Sequence, residues 1–179
     1  MSQIAVTYAQ ALYDLAAEEK LEARVREELC ALQAAFSQEP AFVSLLSAPN
    51  LSKQERCGIL DESFRDKVHI YVLNFLKILT EKGYMRHFGA CSKAFTGLYY
   101  DAHGILPVKV MSAVALTAAQ QEKLTGKLAQ LTGKQILLEC RVDPSCLGGV
   151  RLDYDGKRVD GTVQSRLDAV RDLLKNTVL

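Results

Sequence analysis

The 179-residue chain lacks an excess of either charge: 22 Lys and Arg stand against 21 Asp and Glu, a formal net charge of +1. A nucleic-acid-binding surface draws on a clear surplus of basic residues, so the balance argues against that class. No acidic tail is present, and no stretch approaches the roughly 18 apolar residues of a membrane span. The opening MSQIAVTYAQ has no basic stretch followed by an apolar block, so no secretory leader is expected in it. Also missing is any C-x-x-C. The five cysteines (Cys30, Cys57, Cys91, Cys140 and Cys146) are odd in number and scattered. That pattern argues against a disulfide framework or a zinc site, and for reduced thiols.

Nucleotide motifs are wanting too. A phosphate loop needs four residues between its glycines and a Ser or Thr after the Lys. In GKLAQLTGK six residues separate Gly126 from Gly133, and Gln135 follows Lys134. Gly148-Gly149 precedes an expected strand, whereas a dinucleotide loop follows a strand and opens a helix. A bend or bulge explains the pair better. His69, His87 and His103 lie far apart, with no H-E-x-x-H. A nucleophile assembled in space around Cys91 and His87 stays open, without any local signature of activation. Asp153, Asp155 and Asp160 do not follow the D-x-D-x-D-G calcium pattern. Turn chemistry accounts for Asp155 and helix capping for Asp160. No catalytic, cofactor-binding or metal-ligating residue is assigned.

What is there falls into two textures. Half of the chain is hydrophobic, enough for a sizeable core. Up to Gly104 the sequence reads as helices: two long Ala-rich segments, a short one from Pro40, one opened by the capping-box spacing of Ser52 and Glu55, one over KVHIYVLNFLKILTEKG, and one ending near Gly104. Beyond it, Gly104 and Pro107 punctuate and β-branched residues follow. The expectation there is a strand over about 107–114, a helix from Thr117 to about Leu131, a strand over KQILLECRV, and a hairpin around Asp155-Gly156. A terminal helix follows, with Val163, Leu167, Val170 and Leu174 on one stripe. The fold expected is mainly α: a six-helix N-terminal bundle over 1–104, then a small α+β domain over 105–179 with a short sheet and a terminal helix.

Two helices carry more apolar surface than an ordinary surface helix needs. In the first, Ile4, Tyr8, Leu12 and Leu15 read as a core stripe, while Val6, Ala9, Tyr13 and Ala17 extend the apolar surface round the other side. In the fifth, Val68, Val72, Phe75, Leu76 and Leu79 make one stripe, and Ile70, Tyr71, Leu73 and Ile78 lie outside it. Both helices are either buried on all sides or flank a groove for an amphipathic helix of another protein.

The segment TYAQALYDLA (7–16) resembles the opening of the delta subunit of the rotary ATP synthase, the oligomycin-sensitivity conferral protein of mitochondria. The stretch VDPSCLGGVRLDYDGKRVDGTVQSRLDAVRDLL (142–174) resembles that family's C-terminal signature. The shared features are Gly148-Gly149, then Asp160, Gly161, a small hydroxyl residue at Thr162, and a helix with Arg166 and Leu167. Gly156 sits one place later than the family pattern, and Thr162 stands where serine is more common. The resemblance covers essentially the whole chain.

It implies a non-catalytic stator subunit without cofactor or metal, joining the catalytic head to the peripheral stalk during proton-driven ATP synthesis. The partners implied are the alpha subunit's N-terminal helix and stalk subunit b. For the alpha helix the resemblance points to Val6, Ala9, Tyr13, Ile70 and Leu73; for subunit b, to Val159, Val163, Leu167 and Val170. Membrane association follows only through the complex, on the cytoplasmic face of a bacterial inner membrane. A free adaptor for some other amphipathic helix is the alternative reading.

Overall fold

In the computed structural model of the chain, every residue is described except 1–2, 48–50, 145, 147 and 164–179. Helix α1 spans Gln3–Glu18, α2 Glu22–Gln38, α3 Pro40–Leu46, α4 Lys53–Phe64, α5 Ile70–Glu81 and α6 Phe88–Ala102, the last preceded by a 3₁₀ turn at Met85–His87. Local chemistry sets several of these ends. Pro40 opens α3, where its missing N–H costs nothing. Ser52 and Glu55 close a reciprocal capping box at α4. At α5, His69 acts as the N-cap, its Nδ1 accepting from the Tyr71 N–H, while Glu28 of α2 accepts from the His69 N–H at 2.6 Å. Gly83, at φ 74°, lets the chain reverse after α5, and Tyr84 N–H returns to the Leu79 carbonyl at 2.7 Å.

The chain divides into two compact units, Met1–Tyr99 and Tyr100–Leu179. The helical unit is built round Leu12, Val25, Leu29, Val72, Leu76, Leu79 and Phe95, with a cluster of Phe36, Phe42, Phe64 and Phe88 rings at one end.

The second unit has strands β1 Ile105–Ser112, β2 Gln135–Val142, β3 Val150–Tyr154 and β4 Lys157–Asp160, in the order β2-β1-β3-β4. β1 and β2 pair in parallel, joined through helix α7, Ala118–Thr132, as a parallel pair requires. Thr117 and Gln120 form α7's capping box, and Gly133 in the left-handed region ends it. Leu106, Val108 and Val110 alternate inward along β1 and meet Leu128 of α7 in a small core of their own. β3 and β4 form a hairpin whose two turn residues, Asp155 and Gly156, both have positive φ, the geometry that matches strand twist.

Gly148-Gly149 is explained by close backbone approach. A Cβ on Gly149 would collide with the Gly161 carbonyl oxygen and lie 2.8 Å from Thr162 Cα. The returning segment is held there by Gly161 N–H to Val150 O and Val163 N–H to Gly148 O, each 3.0 Å. No phosphate needs to be invoked. The expected terminal helix falls outside the described residues, apart from its first position at Val163.

Candidate functional site

The core stripe of α1 differs from the expected one. Ala5, Ala9, Leu12 and Ala16 are the buried residues, whereas Ile4 and Tyr8 are half-buried and Leu15 is 48% exposed. The physical reason is size. Alanines let two helices approach closely, because interaxial distance follows the side chains at the contact. The bulkier flank is thereby left at the rim.

That flank has helical spacing, Ile4, Tyr8, Ala11 and Leu15, and two contacts show where it faces. Tyr8 packs edge-on against Tyr84, just past the end of α5, with ring centroids 6.1 Å apart. At the other end, the Tyr71 hydroxyl near the start of α5 donates to Glu19, just past the end of α1, at 2.6 Å. The two helices therefore run antiparallel along a shared seam. On α5 the matching flank is Tyr71, Phe75 and Ile78, again at helical spacing; Phe75 is buried, Tyr71 half-buried and Ile78 45% exposed. Leu15 and Ile78 thus stand open on either side of the seam. Over the eleven steps from Ile4 to Leu15 it is about 16 Å long, at 1.5 Å per residue.

The residues first picked for the groove do not all come together. Ala9 is fully buried and Leu73 is 2% exposed, so both belong to the core. Tyr13 lies on the opposite flank of α1, its ring edge-on to Phe95 of α6 at 5.5 Å. Val6 is exposed on that same flank by helical spacing. Ile70 is 54% exposed, on the α5 face it shares by spacing with Lys77, which pairs with Asp61 of α4 at 2.7 Å. The pattern of exposed and buried positions identifies Leu15 and Ile78, which hydrophobicity alone assigned to a core stripe or left unranked. The sequence placed Tyr8 in the core stripe of the first helix and Tyr71 outside that of the fifth; that both border one seam, with Tyr84 at its far end, emerges only from their contacts.

In the second unit, Val159 and Val163 are 49% and 44% exposed. Val159 pairs with Leu152, so it points to the face of the sheet that α7 covers, at the outer edge. Leu167 and Val170 lie outside the described residues.

A second apolar cleft, of about 610 Å³, is lined by Phe36, Phe42, Leu45 and Phe64, with Glu39 and Lys67 at its margin. Sequence reading missed it, because its walls come from three separate helices.

The Cys91 thiol is buried, and that burial pushes its pKa up to about 11, which keeps it neutral. The His87 ring lies against Tyr84. Among the described residues no three His, Cys, Asp or Glu side chains gather as a metal site, and no helix is long and apolar enough to cross a membrane.

Known proteins match along the whole chain. A family model described as ATP synthase delta (OSCP) subunit matches residues 4–174. The ATP synthase subunit delta of Alkaliphilus oremlandii is 34% identical, with 96% of each chain covered. That of Desulfitobacterium hafniense strain Y51 is 31% identical, with 97% of each covered. Among solved structures, a chain of the Toxoplasma gondii mitochondrial ATP synthase hexamer superposes with a TM-score of 0.72 at 20% identity, over 97% of this chain and 98% of that one; this likeness speaks to the fold alone. With a whole-length family match and relatives above 30% identity, the chain belongs to the ATP synthase delta (OSCP) subunit family, the non-catalytic stator subunits of the F-type synthase.

Proposed function

We propose that this subunit joins the catalytic head to the peripheral stalk by two separate attachments. In this reading residues 1–104 act as one six-helix block, and the seam between α1 and α5 receives the amphipathic N-terminal helix of an alpha subunit. Residues 105–179 carry the attachment to stalk subunit b, through the apolar surface that begins at Val159 and Val163. The subunit then sits at the cytoplasmic face of a bacterial membrane through the complex.

The observation that carries the reading is the open apolar flank on both sides of one seam, with Leu15 on α1 and Ile78 on α5 each about half exposed. A helix laid into such a seam removes apolar surface from water, worth roughly 25 cal/mol per Å² before association costs. That suits a joint that must hold while torque passes through it, and it needs no strong net charge. Val6 and Ile70, exposed on neighbouring faces, extend the apolar surface beyond the seam. Co-purification of the catalytic head on the immobilised full chain is the test. The head is retained by the native chain and lost with Leu15→Asp combined with Ile78→Asp, while subunit b is retained by both. Retention of the head by the double variant contradicts the reading. Failure of the native chain to retain either subunit favours a free adaptor.

A further inference from the structure

The two edges of the sheet in the second unit are guarded unequally. At one edge β4 is short, and Lys157, Arg158 and Asp160 make it mostly charged. Short, charged edge strands resist pairing with another chain. At the other edge β2 is twice as long, with neither proline nor glycine, and among the described residues β1 is the only strand beside it. Its last four residues, Glu139, Cys140, Arg141 and Val142, are all exposed. Two flanking bonds fix which backbone groups of β2 are free. Gln135 N–H donates to the Gly104 carbonyl and Asp143 N–H to that of Ser112, each at 2.9 Å. Gln135, Leu137, Glu139 and Arg141 therefore address β1, and Leu138, Cys140 and Val142 turn their N–H and C=O groups to the open edge. By the strand alternation, Glu139 and Arg141 share the face of the sheet away from α7.

We propose that two copies of this chain join their β2 edges antiparallel about Cys140, so that the two sheets continue into each other. In this register Leu138 of one copy faces Val142 of the other, Cys140 faces Cys140, and Glu139 faces Arg141 on both sides of the two-fold axis. The outward backbone groups of these residues then form three hydrogen-bonded pairs, about six bonds in all. Opposite charges directly across a strand pair are favourable and like charges unfavourable. Registers centred on Glu139 or Arg141 set like charges against each other. A register centred on Leu138 gives neither charge its opposite, and it draws in Ile136 and Leu138, which already pack against the α7 core. Only five residues of each strand pair, so the contact is weak and reversible, smaller than a stable interface. It is independent of the α1–α5 seam.

Sedimentation velocity of the full chain under reducing conditions tests the pairing. The native chain is monomeric at about 10 μM and forms a dimer fraction that grows toward about 500 μM. Glu139→Arg and Arg141→Glu each set like charges across the two-fold axis, and each moves dimer formation to at least about tenfold higher concentration. An equimolar mixture of the two variants restores the dimer, because each supplies the charge that the other lacks. Both positions are exposed, so thermal unfolding of the variants matches that of the native chain. A native chain that stays monomeric over the whole range overturns the proposal. So does a dimer that both variants keep, or one that their mixture fails to restore.

Thiol oxidation gives a second readout. A hydrogen-bonded antiparallel pair holds its Cα atoms about 5.5 Å apart, within disulfide reach. Diamide takes two electrons and two protons from the facing Cys140 thiols. One disulfide forms between the copies, and the reagent becomes its hydrazine. At the dimer-forming concentration the native chain is cross-linked at least about tenfold faster than Cys140→Ser, in which Cys30 is still exposed. Equal rates in the two chains overturn the register about Cys140 and the proposal with it.

Discussion

Cys91 and Tyr71 show how surroundings rather than residue type decide reactivity. Cys91 is fully buried in the helical core, and loss of solvent pushes its thiol to about 11, whereas Cys30 and Cys140 are exposed. Brief iodoacetamide treatment of the native chain at pH 8 alkylates Cys30 and Cys140 and leaves Cys91 unmodified by mass spectrometry. Rapid modification of Cys91 would reopen the possibility of a nucleophile beside His87. The Tyr71 hydroxyl donates to Glu19, and that hydrogen bond is the first cause of its raised pKa. A phenol whose folded pKa is raised contributes stability that is fully present below its unfolded value, near 10, and is lost as pH rises through the folded value. Alkaline titration by ultraviolet absorbance therefore shows two tyrosines ionising later than the ordinary range, Tyr71 through this bond and Tyr13 chiefly through burial, and Tyr71→Phe removes one of the two. Persistence of both late ionisations in Tyr71→Phe would contradict the assigned bond.

The helix ends argue in the same way at the next scale. Thr117 accepts from the Gln120 N–H, and Gln120 accepts in return from the Thr117 N–H, so two orphan donors of α7 are satisfied. Thr117→Ala is expected to lower the free energy of opening of the second unit by about 1 kcal/mol, measured by amide exchange at Val108 and Val110, while Thr117→Ser keeps most of it. Unchanged exchange would mean the cap contributes nothing.

These boxes, the Asp155-Gly156 hairpin and the strand–helix–strand order were legible in the sequence, because each element is marked by a few adjacent residues; the parallel pairing of β1 and β2 was not. The faces of α1 and α5 were less so. A hydrophobicity wheel ranks Leu15 above Ala9, but packing reverses them, since the short side chain is the one that fits between helices. His69 as a cap was hidden for a related reason: its role depends on Glu28, 41 residues away. Val159 shows a third limit, because its pairing with Leu152 fixes its face only once the strand order is known.

For the whole molecule, membership of a family of non-catalytic stator subunits means that surfaces carry the function. Ala9, which the family resemblance placed in the groove, is a poor probe of that function. A tryptophan there would overfill the core and cost about 1–3 kcal/mol or more, confusing lost binding with lost folding. Leu15 and Ile78 are the better probes, since half of each is already in water. The most direct measurement is calorimetric titration of the full chain with the cognate alpha subunit's amino-terminal peptide, on the native protein and on Leu15→Asp and Ile78→Asp. The account predicts saturable binding to the native chain and at least about tenfold weaker binding to each variant, with thermal unfolding unchanged. Native-like affinity in both variants would contradict it.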